Sequence, residues 1–272
     1  RPDLLEKAAG VQGTSEAGAS QMYKSIERFK ALADYLQVWP AHGAGSACGK
    51  SLGAVPSTTV GYEKAFNWAM QFDEEASFKK ALLEGQPEPP YYFAVMKSVN
   101  KVGPQLLKDL PEPKEITSAT AVEALLAEGK QVLDMRPADA YSKGHIQGTI
   151  NIPFNKSFAN WAGWIVDYNK PLYVLLDTEK LEEALIALHS VGIDEVYGFA
   201  EAENIVSQAD NLASYDNVSP TEANEMVENG EAYVLDVRNQ TEFDEGHIDN
   251  AQHIMVGTLK NRLDEVDTDK TI

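Results

Sequence analysis

The sequence is short of thiols, of positive charge and of long apolar runs. Cys48 is the single cysteine among 272 residues. An internal disulfide is therefore excluded, which fits a reducing, cytoplasmic setting. Chemistry that needs a thiol must use Cys48 or lie outside this sequence. Lysine and arginine total 23 against 42 aspartates and glutamates, a formal net charge of −19. That balance argues against a nucleic-acid partner, because neutralising phosphates takes a basic surface. It argues equally against docking on anionic lipid, and is read as a solubility charge on exposed helices. No apolar run approaches the roughly 18 residues of a membrane span, and there is no basic-then-apolar leader. The chain opens at Arg1 rather than Met and is read as a piece of a longer polypeptide. With 43% hydrophobic and 24% charged residues it has ordinary globular composition, and its length fits two or three domains.

An internal repeat is the strongest positive signal. Gln131-Val-Leu-Asp-Met-Arg136, Tyr141 and Gly144-His145-Ile146 recur 102 residues on as Tyr233-Val-Leu-Asp-Val-Arg238, Phe243 and Gly246-His247-Ile248. Solenoid units run about 20–50 residues, so this period marks a duplicated domain. In each copy a Thr117 or Ser219 cap is expected to open a short amphipathic helix. A turn at Gly129 or Gly230 then leads into a buried strand at Val132-Leu133 or Val234-Leu235. Leu172–Leu176 has the character of a fully buried parallel strand, followed by a helix over 179–191 and a short strand near 195–197. Alternating strands and helices of this length predict a doubly wound α/β domain.

Residues 1–105 differ in texture. Thr14 is expected to cap a helix with Met22, Ile26 and Phe29 on one face. A strand-like Tyr35–Trp39 runs into a loop with His42, Gly43, Gly45 and Ser46, small residues that let backbone approach an ion or ligand. Helices are expected at 62–70, 78–83 and 91–101. A proline-punctuated linker over 103–113 marks the expected boundary. The predicted domains are 1–105, 106–212 and 213–272. One histidine cannot make a catalytic metal site, which generally takes three protein ligands.

Arg1-Pro-Asp-Leu-Leu5, Pro40-Ala-His42-Gly-Ala-Gly-Ser46-Ala-Cys48-Gly49 and Ser57-Thr-Thr-Val-Gly61-Tyr-Glu63 with Asn67 resemble the back half of the persulfide dioxygenases. These are metallo-β-lactamase-fold relatives of glyoxalase II that bacteria often fuse to rhodanese modules. The resemblance implies the C-terminal part of an αββα fold. It also implies oxidation of glutathione persulfide, or a similar low-molecular-weight thiol persulfide, by O₂ to sulfite and free thiol. The family uses mononuclear Fe(II) held by two histidines and an aspartate, a set that leaves positions open for oxygen and sulfur. None of those three ligands is visible here; they are expected before Arg1. By resemblance, His42 matches a histidine that binds a second metal in the dinuclear hydrolases and here supports the pocket or its ligands. Arg1 matches an arginine that orients substrate or the ligand aspartate. Cys48 either faces the persulfide pocket or is a small buried thiol.

The repeated Asp-x-Arg, aromatic, Gly-His-Ile pattern resembles rhodanese domains. Asp134, Arg136 and His145, with Asp236, Arg238 and His247, are read as framework: the Asp–Arg pair bridges a turn and the histidine pins a loop. Rhodanese catalysis needs a cysteine after the next buried strand, where loop N–H groups and a helix N-terminus stabilise its thiolate. Here the first copy has Leu176-Asp177-Thr-Glu-Lys180, and a carboxylate cannot carry sulfane sulfur. The first copy is thus expected to be a pseudo-rhodanese, and the second to reach its active-site strand only at Thr271-Ile272.

Three functions follow as expectations. The first is a sulfide-detoxifying enzyme coupling persulfide oxidation at iron to rhodanese sulfur transfer, its partner a small thiol persulfide. The second is a zinc thioester hydrolase of glyoxalase II type. The third, favoured for residues 113–210, is a non-catalytic spacer or dimer contact, which leaves a homo-oligomer open. The stretch 1–272 alone is expected to be inactive.

Overall fold

The computed structural model describes residues 2–41, 55–86, 88–267 and 270–272. It divides into two compact units, Arg1–Pro89 and Pro90–Ile272. The first contains α1 (Leu4–Ala9), α2 (Thr14–Lys30), β1 (Gln37–Val38), β2 (Thr58–Thr59), α3 (Val60–Phe66) and α4 (Glu75–Leu83). β1 and β2 form an antiparallel ribbon, and Ala19 of α2 is buried with Phe78 and Leu82 of α4. Thr14 does not cap α2. Gly13, at φ 76°, takes the N-cap position, and the Thr14 hydroxyl donates instead to the Val11 carbonyl at 2.8 Å. The helix expected over 62–70 breaks at Asn67, whose side chain accepts from Ala69 N at 3.0 Å. A short polar side chain that bonds nearby backbone competes with helix continuation.

The second unit opens with α5 (Tyr92–Val102), which the sequence grouped with the first segment. In the structure α5 packs on the sheet domain. Tyr92 lies against its core, and Gly163 leaves the ring room, since a Cβ there would come 2.4 Å from Tyr92 Cδ1. After it come β3 (Lys114–Glu115), α6 (Ala119–Ala127), β4 (Gln131–Asp134), α7 (Ala138–Lys143), β5 (Ile150–Asn151) and α8 (Phe158–Ile165). They continue as β6 (Leu172–Leu176), α9 (Leu181–His189), β7 (Val196–Glu201) and α10 (Ala202–Gln208). The strands form one parallel sheet in the order β3-β7-β6-β4-β5.

Helices cover both faces, which is why β6 is an almost unbroken apolar run. Leu172, Val174 and Leu176 pack with Phe158, Ala162, Ala184 and Leu188. Val132 and Leu175 pack on the opposite side with Val122, Ala202 and Ile205. The cap of α6 is Ser118 rather than Thr117: its hydroxyl accepts from Ala121 N at 3.3 Å. The helix after β6 begins as a 3-10 turn at Thr178–Lys180 before becoming α-helical at Leu181.

The second copy repeats the pattern as α11 (Pro220–Glu228), β8 (Leu235–Asp236), α12 (Gln240–Glu245), β9 (Gln252–His253) and α13 (Val256–Leu259). Ser219 and Glu222 form a reciprocal capping box at the start of α11. β8 and β9 pair in parallel. Among the described residues of 219–272, only Ile254 and Gly257 are buried. No helix among the described residues is long and apolar enough to cross a membrane.

Candidate functional site

In open parallel sheets, ligand sites form outside the carboxyl ends of the strands, and that edge of the first copy holds the candidate residues. Asp134 ends β4 with its side chain fully buried, and Arg136 is 6% exposed. Asp134 Oδ1 accepts from Arg136 N at 3.0 Å and Nε at 3.1 Å; Oδ2 accepts from Nη2 at 2.7 Å. The same Nη2 donates to Gly144 O at 2.9 Å, tying the turn to the Gly-His corner. Burial works against the charged guanidinium, but the hydrogen bonds and charge of Asp134 outweigh it and hold Arg136 above its usual range. His145 is buried with Nδ1 2.9 Å from Tyr141 O, so Nδ1 carries the proton and donates. Its ring stacks on Tyr141 at 3.8 Å. Burial pushes the Tyr141 phenol up, and the hydroxyl donates to Thr149 O at 2.7 Å.

The second copy repeats this arrangement. Arg238 Nη2 reaches Asp236 Oδ2 at 2.6 Å and Gly246 O at 2.9 Å, and His247 Nδ1 donates to Phe243 O at 2.8 Å. Arg238 holds the Asp236 carboxyl down at about 2. The copies differ at Tyr141, replaced by Phe243 without a hydroxyl, and at Asn151. Asn151 donates to Asp134 O and Arg136 O, whereas His253 at the equivalent place has Nε2 2.9 Å from Arg238 O. The Phe243 ring consequently stacks with both His247 and His253.

A cleft of about 670 Å³ opens at the sheet edge of the first copy, lined in part by Arg136, Asp139, Phe154, Asp177, Glu201 and Glu203. β6 delivers Leu176, buried, and then Asp177, half-exposed, into it. Asp177 Oδ1 accepts from Glu179 N at 3.1 Å, and Asp177 Oδ2 lies 3.5 Å from Lys180 Nζ. Glu201 Oε2 accepts from Thr178 N at 2.9 Å and Thr178 Oγ1 at 3.0 Å. The turn thus presents carboxylates, a hydroxyl and an ammonium, and no sulfur.

The family model for the rhodanese-like domain matches residues 118–201 and again 219–272. The chain belongs to the rhodanese-like family. A solved metallo-beta-lactamase from Staphylococcus aureus subsp. aureus COL is 45% identical with a TM-score of 0.59, over 73% of this chain and 54% of that one. The chain therefore spans about half the length of that neighbour, and the 73% exceeds the share of either compact unit, so the likeness extends into both. The Alr3790 protein from Anabaena sp. is 19% identical over 42% of this chain and 92% of that one, TM-score 0.32. An anaerobic ergothioneine biosynthesis enzyme from Chlorobium limicola is 21% identical over 54% and 42%, TM-score 0.32. No match is found among curated proteins.

In the first rhodanese-like module the structure brings Arg136, Leu176 and Asp177 to one cleft. His145 stays beside Tyr141, on the corner that Arg136 braces. Arg1, His42 and Cys48 lie outside the described residues. Among the described residues no group of three or more His, Cys, Asp or Glu could hold a metal ion. They therefore do not fit a two-histidine, one-carboxylate iron set. Sequence reasoning missed Glu201. Its signal was weak: a carboxylate ending an apolar strand becomes significant only when parallel register sets Glu201 beside Leu176.

Proposed function

We propose that this chain is part of a sulfide-detoxifying enzyme. In that enzyme a metallo-β-lactamase-type domain oxidises a low-molecular-weight thiol persulfide with O₂, and rhodanese-like modules handle sulfane sulfur. The carrying observation is the union in one chain of rhodanese-like modules with a 45% likeness to a metallo-beta-lactamase that extends beyond either unit. A domain that yields or consumes persulfides has a use for modules built around sulfane sulfur, whereas a thioesterase has none. The iron that this chemistry requires would be held by residues other than the described ones, and what it supplies when bound is activation of O₂ toward the terminal sulfur. Within this reading the first module is framework. Asp177 stands where transfer needs a thiolate, and no residue of the turn can form a sulfur–sulfur bond.

The test uses the full-length protein. Expected are bound iron and O₂ uptake with sulfite release on adding glutathione persulfide. Bound zinc, with hydrolysis of a glutathione thioester and no O₂ uptake, would instead establish the hydrolase. Cyanide-dependent sulfur transfer by the stretch 1–272 itself would overturn the framework role of the first module.

A further inference from the structure

A strand that feeds a helix leaves the first N–H groups of the helix without intrahelical partners, and such groups attract anions. The turn after β6 has this layout, yet each leading donor is taken from within. Thr178 N donates to Glu201 Oε2 at 2.9 Å and Glu179 N to Asp177 Oδ1 at 3.1 Å. Lys180 N donates to Asp177 O at 2.9 Å, and Leu181 N to Thr178 O. The cations of the cleft are engaged as well. Arg136 is locked to Asp134, with its outer nitrogen 3.8 Å from Glu203, and Lys180 faces Asp177. Glu201 differs from the other acceptors in coming from a separate strand. Parallel pairing of β6 and β7 sets it opposite Leu176, so its carboxylate enters the turn from the side.

We propose that Glu201 is a built-in anion that fills this turn and closes the cleft of the first module to anionic sulfur carriers such as thiosulfate. The module is then silent for two reasons, a missing thiol and an occupied seat, and restoring the thiol alone does not reopen it. This inference stands apart from whichever metal reaction the full-length enzyme performs.

The experiment places a thiol in the turn, in the full-length protein with Cys48→Ser, and compares Asp177→Cys with Asp177→Cys/Glu201→Ala. The rate of iodoacetamide alkylation at position 177 against pH, read by mass spectrometry, gives the thiol pKa. Charged groups facing the thiol are Arg136, Asp139, Lys180, Glu201 and Glu203. With Glu201 in place the thiol titrates at or above the ordinary value of about 8.5. With Glu201→Ala it falls by about one unit or more, because the Thr178 N–H becomes available to the thiolate. A pKa already depressed in Asp177→Cys, or unmoved by Glu201→Ala, overturns the proposal. Asp177→Cys/Glu201→Gln keeps an acceptor without its charge, so it should stay nearer the single variant. A shift as large as that of the alanine variant would show simple charge removal and also overturn it. A second reading needs no thiol. In Glu201→Ala alone, hydrogen exchange of the Thr178 amide should quicken at least tenfold while β6 amides keep their rates, and an unchanged Thr178 rate refutes the occupation.

Discussion

Within residues 1–272 the two Asp–Arg pairs differ chiefly in burial. Their geometry is nearly the same: Nη2 to Oδ2 is 2.7 Å in the first module and 2.6 Å in the second, and both arginines reach a glycine carbonyl at 2.9 Å. Their surroundings differ. Side-chain exposure is 6% for Arg136 and 0% for Asp134, against 43% for Arg238 and 9% for Asp236. Arg136→Met keeps much of the side-chain volume but leaves Asp134 charged, buried and without its partner, which costs about 3–5 kcal/mol. Arg238→Met leaves a carboxylate that solvent can reach more easily, and exposed pairs are worth about 0–1 kcal/mol. Amide hydrogen exchange resolves the modules separately. At about tenfold per 1.4 kcal/mol, exchange in β4 and β6 should quicken by about two to three and a half orders of magnitude in Arg136→Met. In the stretch 1–272, exchange in β8 should quicken by less than about tenfold in Arg238→Met. Replacing both partners in the first module, Asp134→Leu/Arg136→Met, should recover part of the loss, because no buried charge then remains. Equal effects at the two arginines would refute the reasoning, since burial is the variable that separates them.

Two further outcomes follow from the second module. A Cβ on Gly257 would lie 2.4 Å from Trp164 Cε3, so Gly257→Ala should destabilise by about 1–3 kcal/mol despite the alanine gain of up to about 1 kcal/mol in helix propensity. Denaturant titration followed by tryptophan fluorescence checks the sign, and a stabilised variant would show that the two modules do not meet at this contact. Asp236 is held at about 2 against an ordinary 3.8. A carboxyl lowered on folding contributes stability that is full above the unfolded value and is lost as pH falls through the folded one. Exchange protection of β8 should therefore hold down to about pH 4 and fall between about pH 4 and 2, and Arg238→Met should flatten that fall.

The duplicated module and the buried central strand were legible in the sequence because each is a local or repeating signal. Residues 172–176 are a continuous apolar run, and Asp134 and Arg136 are two residues apart, close enough to pair across their own turn. The caps were less legible. Thr117 and Ser118 are chemically alike, and only the backbone trajectory decides which hydroxyl meets an N–H. The identity of α5 as part of the sheet domain rests on the space left by Gly163 and Gly192, which no pattern within the helix reveals.

Sequence by itself determined that this chain holds two rhodanese-like modules and that the first contains no cysteine, because composition and period survive without coordinates. Tertiary structure alone decided what fills the turn after β6 and which Asp–Arg pair is the more buried within residues 1–272. Parallel register carries Glu201 to Thr178 across 23 residues of chain, and burial, a property of what packs around a group, separates two pairs that their local sequence makes equivalent.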